Sequence, residues 1–229
     1  MSNLIHLFPL TVFRSSVLVA PAEREQMVNA IVEMGRVRAQ QRAPGVSWTG
    51  DVNGHELLHN DPRFAALFTK FERPLHDYLD VFHIDQDRVR LYFTRSWGTL
   101  SSHGDSTQAH EHMQSHLSLV YYLKKPLDSS GISFVEPEAP NQFAPNLFND
   151  ALFKAGIFKE HQQINAQRIY LEPSEDDVLI FPSKAQHEIP PNRSQSLRVS
   201  IACDIVATVR DSTGLEFLLP EPGVWKAVD

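Results

Sequence analysis

Three imidazoles stand close together in His110-Glu111-His112-Met113-Gln114-Ser115-His116, directly ahead of the aromatic and β-branched run Leu117-Ser118-Leu119-Val120-Tyr121-Tyr122-Leu123. Histidine nitrogens are ligands for borderline divalent metals. In extended backbone, residues two apart point to the same side, so His110 and His112 can converge on one ion. On a helix they would diverge by about 200°. Metal binding is the chemistry this pair predicts, held by the strand that follows. With 11 histidines in the chain, a His-x-His pair arises readily by accident, and the pair needs support from elsewhere in the sequence.

Support comes from downstream. Asp177-Val178-Leu179-Ile180-Phe181-Pro182-Ser183 reads as a short apolar strand, and His187 follows after a turn. Arg198 comes next in Leu197-Arg198-Val199-Ser200-Ile201-Ala202-Cys203. Strand alternation sets Leu197, Val199, Ile201 and Cys203 on one face and Arg198, Ser200 and Ala202 on the other, so Arg198 and Ser200 can address one anion together. A second metal motif is His103-Gly104-Asp105, a literal His-x-Asp triplet that falls in a Gly/Ser-rich turn.

The elements that must position these groups divide near Asp87. Residues 4–19 alternate loosely and predict an edge strand, with Pro9 keeping it from a sheet centre. A helix starts at Pro21, with Glu23 and Glu25 in its first turn and Met27, Ala30, Ile31, Met34 and Val37 on its apolar face. Gly45 to Gly54 reads as loop anchored by Trp48. A second helix starts near Asn60 or Asp61, with Pro62 first and Phe64, Leu67, Phe68, Phe71, Leu75, Tyr78 and Phe82 on one side; Pro74 is expected to kink or split it. From Val89 the period becomes that of strands, over 88–95, 116–123, 131–135, 163–171, 177–182, 186–189 and 196–207. Residues 145–162 interrupt them, as a packed excursion or a lid. Helices followed by many strands predict a mainly β fold with helices outside an antiparallel sandwich or barrel.

Composition narrows the function classes. A chain of 229 residues, 42% hydrophobic, can bury a sizeable core, and no compositional break marks a linker. A net charge of −7 with scattered basic residues argues against a nucleic-acid or anionic-membrane partner and for a small molecule or another protein. Cys203 is the only cysteine, which fits a reducing compartment and reads as core. The N-terminus lacks the charged flank of a signal peptide, and no stretch is long and apolar enough to span a membrane. A cytoplasmic protein is expected.

Taken together, these motifs resemble a family of 2-oxoglutarate–Fe(II) oxygenases related to the prolyl hydroxylases. The resemblance rests on His110-Glu111-His112-Met113, Leu117 to Leu123, Ser130-Gly131 with Phe134 and Glu136-Pro137, Phe181-Pro182-Ser183, His187, Pro191-Asn192 and Arg198-Val199-Ser200. The Leu7-Phe8-Pro9 start and Trp48 also fit. It implies a double-stranded β-helix, a distorted jelly roll, as a single domain over 1–229: helical support over 1–87, the β-helix core over 88–207 and a C-terminal extension over 208–229. It further implies Fe(II) on His110, His112 and His187, and 2-oxoglutarate on Arg198, Ser200 and Tyr122. The implied reaction hydroxylates a small-molecule or peptide substrate with O2 while 2-oxoglutarate is decarboxylated to succinate.

The chain departs from the pattern at Met113, where Pro is usual, at Leu119, where Gly is usual and a bulkier side chain would face whatever the strand lines, and at His112, where most such enzymes have Asp or Glu. Asp105 is the alternative third ligand. His116 reads as structural or as a support behind the ligands. Two other readings stay open: a three-His iron dioxygenase that needs no keto acid, and a non-catalytic jelly-roll module that binds a metal or ligand. The substrate and a homodimer are left open by the sequence.

Overall fold

Strand-period alternation from Val89 onward builds the centre of the molecule. In a computed structural model, which describes residues 3–36 and 43–228, the strands are β1 (Phe13–Ser16), β2 (Trp48–Thr49), β3 (Val89–Ser101), β4 (Thr107–His110), β5 (Leu117–Lys124), β6 (Ile132–Val135), β7 (Arg168–Leu171), β8 (Asp177–Pro182), β9 (His187–Ile189), β10 (Arg198–Val209) and β11 (Leu219–Pro220). They form two sheets. The larger runs β1-β8-β5-β10-β3-β2, with β11 beside the end of β10, and the smaller runs β4-β9-β6-β7. From β3 to β10 the chain alternates between sheets except at the β6-β7 hairpin. That winding is a double-stranded β-helix, the fold the motifs predict.

Alternation on β5 and β10 then gives the larger sheet two different faces. Leu119, Tyr121, Leu123, Val199, Ile201, Cys203 and Ile205 pack outward against helices α1 (Pro21–Arg36) and α2 (Ala65–Val81). Leu119 therefore joins the helix-facing core rather than crowding the interior beside Ser118. Val120, Tyr122, Leu179 and Phe181 point inward and meet Ile132 and Phe134 of the smaller sheet. Helix α1 lies so close to β3 that a Cβ on Gly98 would come within 2.5 Å of Ile31. At Gly131 a Cβ would fall 2.0 Å from the Leu171 carbonyl oxygen, so only glycine fits at the β6-β7 crossing.

Several boundaries differ from the sequence expectation, each for a local reason. Helix α2 starts at Ala65 rather than at Pro62, because the Asp61 carboxylate takes the Arg63 backbone N–H and guanidinium and closes a turn instead of capping a helix. It then runs unbroken through Pro74, which is buried between Phe71, Leu75 and Tyr78. A lost hydrogen bond and ring clash of about 3 kcal/mol are offset by burying those side chains at roughly 1.5–3 kcal/mol each. Only Phe13–Ser16 of 4–19 forms the edge strand, on β8, with Pro9 outside it. Residues 163–165 make a 3-10 turn, which shortens β7, and β4 was not anticipated. Val37 lies outside the described residues. In 145–162, helix α3 (Asp150–Lys154) is capped by Asn149, and the rings of Phe148, Phe153 and Phe158 pack on one another.

Candidate metal and anion site

The histidines come together where β4 and β9 pair. His110 ends β4 and His187 begins β9, and the two are register partners across that antiparallel pair. His112 lies two residues beyond β4, where its backbone N–H donates to the Ser183 carbonyl at 3.0 Å. Ring centroids are 4.4 Å apart for His110 and His187, 5.2 Å for His110 and His112, and 5.3 Å for His112 and His187. One nitrogen from each lies within 4.8 Å of the others. Among the described residues these three form the only group of three or more His, Cys, Asp or Glu able to hold a metal ion.

Hydrogen bonds set which nitrogen faces the gap. Nδ1 of His110 donates to the Gln108 carbonyl at 2.8 Å and Nδ1 of His187 to the Ala185 carbonyl at 2.9 Å. Nδ1 of His112 donates to Asp204 Oδ1 at 2.5 Å. With Nδ1 donating, Nε2 is the nitrogen each ring can offer to a metal. Burial, helped by the two neighbouring imidazoles, brings His187 down to about 3 against the raising effect of the Ala185 carbonyl, and burial also lowers His110. Both rings are then neutral at pH 7 and ready to ligate. Packing fixes them further: Trp97 stacks on His112 at 5.6 Å, and Phe181 meets His187 edge-on at 5.0 Å.

Deeper in the same pocket lies Arg198, 2% exposed. Its Nη2 reaches Ser200 Oγ at 3.4 Å, while its Nε and Nη1 have no partner, and its guanidinium sits 5.4 Å from the Tyr122 ring centre. The Tyr122 hydroxyl is buried and also lacks a partner. Half of the orphaned buried side-chain atoms among the described residues therefore sit on these two groups. Burial lowers the guanidinium's affinity for its proton and raises that of the phenol. A buried cation without a counter-ion is costly unless an anion completes it. A dicarboxylic keto acid would fit that demand: Arg198 could hold one of its carboxylates, and the three histidines could hold the metal that its other end would need. The walls between are Val120, Ile132, Ile189 and Ala202, beside Ser118 and Thr107.

The remaining site expectations sort by geometry. Asp105 is buried in the turn that precedes β4, where its carboxylate takes the Ser102 backbone N–H at 2.6 Å, and it stands outside the histidine group. His116 accepts the Ala207 backbone N–H at 3.1 Å and ties β5 to β10, a structural role. Cys203 is buried in the helix-facing core, and burial pushes its thiol well up, which makes it unreactive. Met113 is 80% exposed and away from the pocket lining, to which residues 145–162 contribute no side chain.

Asp204 is the residue that sequence reasoning missed. It is fully buried on β10. Burial raises its carboxyl, but the hydrogen bond and charge of His112, with Gln114 and Ser115, outweigh that and bring it below the usual carboxylate range. Its signal was present: the phase of Arg198, Ser200 and Ala202 continues to Asp204, the one carboxylate in that strand.

Fold and site together define a double-stranded β-helix that gathers three histidines able to hold a metal ion and a buried arginine in one pocket. Residues 95–204, which hold the whole constellation, match the family described as "Putative 2OG-Fe(II) oxygenase". The family resemblance drawn from the motifs is borne out, and with it the cofactor pair that the family's description names. No curated protein sequence matches the chain. Among solved structures, AviO1 from Streptomyces viridochromogenes Tue57 is 15% identical, with a TM-score of 0.54 over 86% of this chain and 90% of that one. The non-heme alpha-ketoglutarate-dependent carbocyclase SnoK from nogalamycin biosynthesis is 14% identical, TM-score 0.53, over 92% and 87%. HygX from Streptomyces hygroscopicus, solved with nickel and 2-oxoglutarate bound, is 12% identical, TM-score 0.52, over 86% and 83%. At these identities the likeness is one of fold. Among the described residues no helix is long and apolar enough to cross a membrane.

Proposed function

We propose that the protein hydroxylates a small-molecule or peptide substrate in an Fe(II)- and 2-oxoglutarate-dependent reaction, with His110, His112 and His187 as the metal ligands. Arg198, Ser200 and Tyr122 hold the far carboxylate of 2-oxoglutarate. The observation that carries this reading is the orphaned guanidinium of Arg198 in the pocket that the three histidines close. A three-His dioxygenase without a keto acid leaves that buried cation unexplained. A closed structural metal site would need a fourth protein donor, and the cluster has three members among the described residues.

When bound, Fe(II) with 2-oxoglutarate supplies the oxidation: O2 and the keto acid become succinate, carbon dioxide and the hydroxyl oxygen of the product. The chain's own contribution is placement. Imidazoles from β4, the β4-β5 loop and β9 present three nitrogens on one side and leave the other open. Arg198 and Ser200, on one face of β10, anchor the distal carboxylate and fix which end of the keto acid faces the histidines. The apolar walls exclude water, so the charges inside interact strongly. A cytoplasmic setting agrees with the single buried cysteine.

Anaerobic titration of the Fe(II)-loaded protein with 2-oxoglutarate tests this, read by the weak visible charge-transfer band of a chelated keto acid. The expected result is a band in wild type that His112→Ala abolishes. No band at saturating iron overturns the proposal. A band that persists in the variant removes His112 from the ligand set.

A further inference from the structure

The three-imidazole set poses a problem of charge. In the common arrangement of such centres, two histidines and one carboxylate face the metal, and here the third place is taken by His112, whose imidazole brings no negative charge. A negative charge nevertheless stands directly behind it. Asp204 is fully buried, and its Oδ1 takes the His112 Nδ1–H at 2.5 Å. Its Oδ2 accepts from Gln114 Nε2 at 2.8 Å, and Ser115 Oγ reaches Oδ1 at 3.3 Å. Among the described residues, His112 is its one ionisable partner at ion-pair distance. The other two histidines donate only to backbone carbonyls, of Gln108 and Ala185. The carboxylate is thus specific to the ligand that occupies the carboxylate's usual place.

We infer that Asp204 is a positioning residue of the metal centre, holding His112 in the Nδ1–H tautomer and supplying from behind the ring the negative charge that the ligand set lacks. The inference rests on the reading above that His110, His112 and His187 hold the metal. A full negative charge accepting the Nδ1 proton makes Nε2 a stronger donor than a neutral carbonyl does. Gln114 and Ser115 keep the carboxylate aimed at His112, so the ring cannot rotate without leaving a buried charge unpaired.

The test is a double-mutant cycle on Co(II) affinity, read from the ion's visible absorption, in wild type, Asp204→Asn, His112→Ala and the pair. Asparagine keeps the shape and an acceptor oxygen while removing the charge. Expected are a 10- to 100-fold loss of Co(II) affinity in Asp204→Asn, unchanged thermal unfolding of the metal-free protein, and no further loss when the substitution is added to His112→Ala. An affinity within twofold of wild type, or an equal loss in both backgrounds, overturns the inference. Should the asparagine variant not fold, nitrogen-15 NMR of the imidazoles in wild-type protein decides: Nδ1–H on His112 upholds it and Nε2–H defeats it. A missing 2-oxoglutarate band would refute the proposed reaction and leave the cobalt cycle to decide Asp204 separately.

Discussion

Tyr121 and Tyr122 are neighbours on β5, both fully buried, each beside an arginine, and yet they serve opposite ends. Tyr121 points toward the helices, where its hydroxyl donates to Asp176 Oδ1 at 2.6 Å, with the Val17 carbonyl at 3.1 Å. Arg24 grips the same Asp176 with both carboxylate oxygens at 2.7 Å and the Leu123 carbonyl at 2.6 Å. Tyr122 points into the β-helix, where its hydroxyl has no partner and Arg198 above it has no counter-ion. The outward network is complete and ties α1 to the β5-β8 end of the sheet. The inward one lacks its anion. Folding alone does not select a buried arginine with two orphaned donors, and in the proposed function the missing partner is the carboxylate of 2-oxoglutarate.

The largest contrast should come from the two arginines. Arg198→Met is expected to weaken 2-oxoglutarate binding by more than about 100-fold, roughly 3 kcal/mol for removing a buried ionic partner. The ligand-free protein should keep its melting temperature or gain, because an uncompensated charge has gone. Isothermal titration and thermal unfolding on one sample check both halves. Lower stability with intact binding would place Arg198 in the scaffold.

Arg24→Met should do the reverse. Asp176 loses its bidentate partner at a site only partly exposed, with side-chain exposures of 17% and 16%, so a loss of about 2–3 kcal/mol is expected after allowance for screening. For a chain of this length that lowers the melting temperature by several degrees. Affinity for 2-oxoglutarate should stay within twofold of wild type.

The tyrosines repeat the contrast on a smaller scale. Tyr121→Phe removes a hydrogen bond to a charged acceptor and should cost about 1.5 kcal/mol of stability, with ligand affinity unchanged. Tyr122→Phe removes an unsatisfied hydroxyl and should leave stability level or slightly raised. Its cost should appear in 2-oxoglutarate affinity, as a fall of roughly fivefold, about 1 kcal/mol. If both variants lose stability alike, the inward hydroxyl has a structural partner.

The two faces were legible in the sequence to different depths. Period-two alternation separated Leu119, Tyr121 and Leu123 from Ser118, Val120 and Tyr122, as the clusters on either side of the sheet bear out, and grouped Arg198 with Ser200 on one face, where both line the pocket. The histidines of the group came from spacing and family resemblance. What stayed hidden depended on partners far apart in sequence. The Tyr121–Asp176–Arg24 network joins three elements, and Asp204 meets His112 across 92 positions. Strand β4 escaped because Thr107–His110 is short and polar and exists by pairing with β9. Pro74 misled because local propensity was outweighed by the core that α2 buries.

On one measurement the two tyrosines should agree. Burial, the largest cause for both, raises each phenol above its ordinary value of about 10, whatever its hydroxyl partner. A raised folded value means that nothing is lost below pH 10. Above it the unfolded chain sheds protons the folded chain keeps, so stability falls as pH rises. At pH 10.5 the loss is under about 1 kcal/mol for each phenol. Urea unfolding at pH 8.5 and 10.5 should show this fall in wild type, reduced by similar amounts in Tyr121→Phe and Tyr122→Phe. A fall unchanged in Tyr122→Phe would mean that the inward phenol ionises in the folded protein. Water would then reach the floor of the pocket, and the dry environment in which Arg198 is proposed to grip its carboxylate would not exist.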